Sequence, residues 1–142
     1  MFAAVPLLVF PILAYNLAVL TLAGGVHAQD ASIRMSEPLF SFAMNTGVDW
    51  PVTLGDLLLL AGLVVLFIEL LKSTTSRRTV IVNHALSMLL FVACLVEFLL
   101  APAFATSTFF LLTVMVLLDV LAGFIVTIVS ARRDVDFGAD AN

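Results

Sequence analysis

Four long apolar runs dictate what this chain can fold into. They extend from about Phe2 to Leu22, Leu54 to Leu71, Thr79 to Leu100 and Thr108 to Ser130. About 20 apolar residues rising 1.5 Å each cross a hydrocarbon core of roughly 30 Å. Inside hydrocarbon every backbone N–H and C=O must be satisfied within the protein, and a run of this length does so as a helix. Strand-like alternation, which a membrane barrel needs over many shorter segments, is absent. Charged residues make up only 11% of the chain, where a soluble domain carries about a quarter. Too little polar surface exists to cover a water-facing globule. The expected fold is all-α: a four-helix transmembrane bundle forming a single domain over residues 1–142.

The breaks between runs carry their own signals. Gly24-Gly25 ends the first run, and a polar stretch follows from about Gly25 to Val52. Within it, Leu39-Phe40-Ser41-Phe42-Ala43-Met44 is apolar enough to lie at the membrane surface or tuck onto the bundle. Trp50 fits an interfacial anchor. Pro51 precedes Thr53-Leu54-Gly55-Asp56, which reads as a helix cap: Thr53 at the N-cap and Asp56 three residues on. The second and third runs are joined by Lys72 to Arg78, and the third and fourth by Ala101 to Ser107, where Pro102 stops one helix and Thr106 or Ser107 can cap the next. Residues 132–142 form a polar tail with the look of a loose end.

Basic residues set the expected orientation. Lys72, Arg77 and Arg78 share one short loop, and Arg132 and Arg133 follow the last run, so five of the six Lys and Arg residues fall on one side. That side is expected to be cytoplasmic, together with both termini. The 25–52 loop, with Arg34, is then extracytoplasmic. The first run has a competing reading as a signal peptide cleaved after Val26-His27-Ala28. Against it stand the missing basic leader, the length of the run, and Pro6 and Pro11 within it.

Ionisable groups inside spans are costly, and each calls for a reason. Asp56 lies in the first turn of its helix, where a carboxylate satisfies free N–H groups. Glu69 lies near the basic loop, with Lys72 at i+3 and His84 entering the next helix at similar depth. His84, beside Asn83, could cap its helix or carry a proton. Glu97 belongs to a stripe of Asn83, Ser87, Leu90, Cys94, Glu97 and Ala101, spaced alternately by four and three, which should face protein. Asp119 sits mid-helix among Val116, Leu117, Leu118, Val120 and Leu121, none of which can pair with it. An ionised carboxylate there would cost several kcal/mol without a partner or water. Gly55, Gly62 and Glu69 recur at heptad spacing on the second helix, Gly123 and Thr127 continue the Asp119 face, and the first helix offers Asn16. By depth, Asp56 and Glu97 fall in the outer half, Asp119 near the centre, and Glu69 and His84 in the inner half. Such a line suits a proton pathway, and it equally suits helices that fix their register by interhelical hydrogen bonds.

No catalytic, phosphate-binding or zincin pattern is present, so no enzyme activity is expected. The spacing of His, Cys and acidic residues offers no metal site, and no cofactor is implied. No basic patch is large enough to bind nucleic acid. Cys94 is the single cysteine and cannot form a disulfide within the chain.

Three segments form a recognisable set: Pro6 to Asn16; Thr53-Leu54-Gly55-Asp56-Leu57-Leu58 continuing to Glu69; and Val96 to Leu100 followed by Thr106 to Thr113 and Asp119. Together they resemble a group of small four-span inner-membrane proteins of proteobacteria. The resemblance implies a bacterial inner-membrane location and no activity. The function expected is that of an accessory or scaffold subunit in a larger membrane complex or homo-oligomer, with the lipid bilayer and another membrane protein as partners. The alternative is a proton- or cation-coupled transporter or channel, with Asp119 as the titrating group and Glu97 or Glu69 as relay.

Overall fold

The computed structural model describes residues 5–72 and 77–139, with side chains except at 77–81 and 130–139. Phe2 to Ala4 of the first run, Ser73 to Ser76 of the basic loop and Asp140 to Asn142 of the tail lie outside the described residues, as do the side chains of Arg77, Arg78, Arg132 and Arg133. In chain order the elements are α1 (Val9–Leu22), α2 (Ala31–Ser36), β1 (Pro38–Ala43), β2 (Asp49–Thr53), α3 (Leu54–Lys72), α4 (Arg77–Leu100), a 3-10 turn at Pro102–Phe104, and α5 (Ser107–Ala139).

Among the described residues, three helical segments are long and apolar enough to cross a membrane: Leu54–Lys72, Val82–Leu100 and Ser107–Val129. The first apolar run is shorter as a helix than its sequence suggests. α1 has 14 residues, about 21 Å of rise where a bilayer core needs about 30 Å. Its start is set by Pro6, whose carbonyl accepts the Val9 N–H at 3.2 Å in a tight turn that Leu7 continues to Phe10 at 3.0 Å. Pro11 is tolerated because it falls in the first turn, where an N–H would have no helical acceptor. At the other end, Gly24 and Gly25 take φ values of 81° and 118°, which only glycine adopts readily, and the Gly25 N–H turns back to the Val19 carbonyl.

Two expectations about the polar regions are corrected. Residues 132–139 are not a loose tail: they continue α5, a helix of 33 residues, about 50 Å long. No proline or glycine interrupts the run from Arg132 to Phe137, so nothing in it breaks the helix. The 25–52 loop is not devoid of strand either. β1 and β2 pair antiparallel, with Phe42 opposite Trp50 and Phe40 opposite Val52. The turn closes through Met44 N–H to the Val48 carbonyl at 3.0 Å, with Gly47 at φ 79°. Alternate aromatic and β-branched residues around Asn45-Thr46-Gly47 are the strand signal. The segment from Leu39 to Met44 is exposed throughout.

α5 is the central helix. It packs against both α3 and α4, and 44% of its most apolar window is buried, against 28% for α3 and 17% for α4. Close approach to α3 is possible because of two glycines one heptad apart. A Cβ on Gly55 would stand 2.7 Å from Thr108 Oγ1, and one on Gly62 would stand 2.8 Å from Leu112 Cδ2 and 2.9 Å from Met115 Sδ. α1 lies against α3 and α5 and contributes Ile12, Tyr15, Ala18 and Val19 to the core, with Leu8 just before it. The remaining faces are apolar and exposed, with Leu60, Phe67, Leu89, Leu99, Phe110 and Ile125 among the outward side chains. An apolar exterior around a core that contains polar groups suits a hydrocarbon solvent.

Candidate functional site

Several polar side chains lie inside the bundle, where its outward faces are largely apolar. Among them is Glu69, fully buried one turn before the end of α3. Both of its oxygens are engaged. Oε2 accepts the backbone N–H of Leu7 at 2.9 Å. Oε1 accepts Asn83 Nδ2 at 2.6 Å and Lys72 Nζ at 3.3 Å. Lys72 also donates to the Val5 carbonyl at 3.0 Å. One carboxylate thus ties the turn before α1 to α3 and α4. The Leu7 N–H is free for this role because it precedes the helix and has no acceptor within it. The expected i+3 contact with Lys72 forms, and the partner from α4 is Asn83, the neighbour of His84.

Asp119, in the middle of α5, is also buried. Ser87 Oγ of α4 donates to its Oδ2 at 2.6 Å. Ser87 lies on the stripe of Asn83, Leu90, Cys94 and Glu97, and all five are buried or half-buried, while Val82, Met88, Leu89, Val92, Val96 and Leu99 face outward. One turn before Ser87, the His84 ring lies directly over Gly123, where an added Cβ would collide with Nδ1. The edge of Phe124 meets the same ring at 4.6 Å and 84°. Both ring nitrogens of His84 and Oδ1 of Asn83 are buried without a hydrogen-bond partner among the described residues.

Glu97 meets α1. Asn16 Nδ2 donates to Glu97 Oε2 at 3.4 Å and to the Ile12 carbonyl at 3.1 Å. Thr53 and Asp56 stand apart from the interior groups at the exposed start of α3. Asp56 Oδ2 accepts the Thr53 backbone N–H at 2.9 Å and its hydroxyl at 2.8 Å, and Thr53 Oγ1 accepts the Asp56 N–H at 3.1 Å. This is a capping box with aspartate in place of glutamate.

One polar centre escaped the sequence reading. Tyr15, from the middle of α1, is wholly buried against the rings of Phe104 and Phe109. Its hydroxyl donates to the Ala103 carbonyl at 3.1 Å and lies 2.6 Å from Thr106 Oγ1, which in turn accepts the Phe109 N–H at 3.1 Å. The proton count closes along this chain: Phe109 N–H to Thr106, Thr106 O–H to Tyr15, Tyr15 O–H to Ala103. Each hydroxyl donates once and accepts once. Thr106, not Ser107, caps α5. The available signal was the residue itself, since a tyrosine within an apolar run needs a partner for its hydroxyl.

The four carboxylates therefore separate into local ties: Thr53 with Asp56, Asn16 with Glu97, Ser87 with Asp119, and Glu69 with Leu7, Lys72 and Asn83. Among the described residues no hydrogen bond joins Asp119 to Glu69 or to Glu97, and no group of three His, Cys, Asp or Glu side chains is placed to hold a metal ion. No family model matches the chain, and neither a curated protein nor a solved structure matches it.

Proposed function

We propose that this multi-pass membrane protein is a structural subunit, either an accessory to a larger complex or a unit of a homo-oligomer, and that it performs no chemistry of its own. In this reading α1 is retained and completes a four-helix bundle. Both termini and the Lys72–Arg78 loop face the cytoplasm, and the hairpin lies on the far side of a bacterial inner membrane. The observation that carries the proposal is the bonding of Glu69. A fully buried carboxylate whose two oxygens hold a backbone N–H, an ammonium and an amide is engaged in holding elements together. Such groups fix helix register, and a unit with fixed register and an apolar exterior is suited to pack against other helices.

The test is native mass spectrometry of the untagged protein, released gently from its own membrane. A stoichiometric partner or a defined homo-oligomer is the expected result. A strictly monomeric, partnerless protein would overturn the proposal.

One observation favours a second reading, proton- or cation-coupled transport. The unpartnered nitrogens of His84 lie one turn from the Ser87–Asp119 pair, on the same face of α4. A histidine without a hydrogen-bond partner, on the same helix face as the donor to a buried carboxylate, is the geometry a relay requires. In proteoliposomes, transport would then be lost in Asp119→Asn and in His84→Gln. Flux unchanged by both substitutions would remove these residues from any pathway.

A further inference from the structure

The hairpin presents a face that the reading above leaves unused. Because residues alternate across a strand, Phe40, Phe42, Trp50 and Val52 share one side of the β1–β2 ribbon, while Ser41, Ala43, Asp49 and Pro51 share the other. Phe40 and Phe42 meet edge to face at 5.4 Å, and Phe42 lies 6.3 Å from Trp50. Val52 is buried at the base of this ladder, yet the three rings beyond it are 47%, 54% and 53% exposed. The one ionised residue within the paired strands, Asp49, lies on the opposite side.

Position supplies the occupant. β2 ends at Thr53 and α3, a membrane-crossing segment, begins at Leu54 with no residue between them. Thr53 belongs to the strand and caps the helix, and Val52 beside it is buried. The ladder therefore starts at the level where α3 enters hydrocarbon and cannot swing far from it. At that depth rings with an apolar body, and an indole N–H, are favoured over either bulk water or the bilayer centre. An isolated two-stranded ribbon is marginal in water, so a covered face also accounts for its persistence.

We infer that the Phe40–Phe42–Trp50 face is a bilayer-docking surface, lying in the headgroup–hydrocarbon interface of the leaflet that α3 enters, with phospholipid as its partner. Trp50 is the only tryptophan in the chain, so its fluorescence reports on this face alone. The full-length protein is reconstituted in phosphatidylcholine vesicles brominated either near the headgroup end or near the methyl end of the acyl chains. The expected result is blue-shifted emission, quenched several-fold more by the shallow bromines than by the deep ones, and shielded from aqueous acrylamide. Phe40→Ser with Phe42→Ser leaves the probe in place and should cut the bromolipid quenching several-fold. Water-like emission open to acrylamide would overturn the inference. So would emission shielded from both acrylamide and bromine, since a second copy or another protein would then cover the face.

Discussion

Tyr15 and Thr106 are 91 positions apart in the chain, and their hydroxyls lie 2.6 Å from each other in the core. The contact joins the first helix to the N-terminus of the last one. It lets a single hydroxyl serve both as helix cap and as interhelical tie.

Tyr15→Phe should therefore destabilise the bundle although it removes one atom. Burial stays the same, but Ala103 loses its donor and the Thr106 hydroxyl loses its acceptor. Each buried group left unpaired costs about 1–3 kcal/mol. Unfolding in mixed detergent micelles would measure it. An unchanged transition would mean that water replaces the tyrosine.

The helix carrying Tyr15 should persist in the mature protein. Cleavage after Ala28 would strip Leu8, Ile12, Tyr15 and Val19 from the core and leave Glu69 without its Leu7 donor. Intact mass of the membrane-extracted protein is expected to match the uncleaved chain. A mass beginning at Gln29 would refute a four-helix bundle built on α1.

At Glu69, charge and shape can be separated. Glu69→Gln keeps the volume and one acceptor, and it loses the ionic contact with Lys72. Glu69→Leu loses every acceptor and orphans Asn83 Nδ2 and the Leu7 N–H. The leucine variant should lose more stability than the glutamine variant, by about 1–3 kcal/mol for the added unpaired groups. Cys94 provides the readout, being the sole cysteine and wholly buried. Its alkylation should be slow in the wild type, faster in Glu69→Gln and fastest in Glu69→Leu. Equal rates in all three would show that Glu69 ties nothing together.

Gly62→Val tests the α3–α5 seam. The new side chain would press on Leu112 and Met115, and overpacking of this kind typically costs about 1–3 kcal/mol. Leu63→Ala, next in sequence but outward-facing, should have little effect on the same melting curve.

Lipid as solvent explains what was legible in the sequence. Three spans could be read to within a few residues at their starts because about 20 consecutive apolar residues have few other uses. The α4 stripe was legible for a related reason. Asn83, Ser87, Cys94 and Glu97 cannot face hydrocarbon without loss, so their spacing marks the inner face. The same logic marked Asp119 and Glu69 as needing partners. It could not supply Leu7 or Ser87, because which turn faces which depends on crossing geometry that no local pattern records. The hairpin was missed because the alternation around Asn45-Thr46-Gly47 is short, and the apolar stretch from Leu39 to Met44 reads equally well as a surface segment. The continuation of α5 was missed because polarity was read as disorder, whereas helicity there needs only the absence of a breaker.

The Glu69 clamp also has an order of assembly. Leu7 is synthesised 62 residues before Glu69, and Asn83 follows 14 residues after it. When α3 first leaves the ribosome, its carboxylate can find Leu7 and soon Lys72, but the amide from α4 does not yet exist. Until the next helix arrives, the carboxylate has only the Leu7 N–H on one oxygen and the Lys72 ammonium on the other. In order of synthesis, the Asn83 amide is therefore the last of the three donors to appear, and the clamp closes only once α4 lies beside α3.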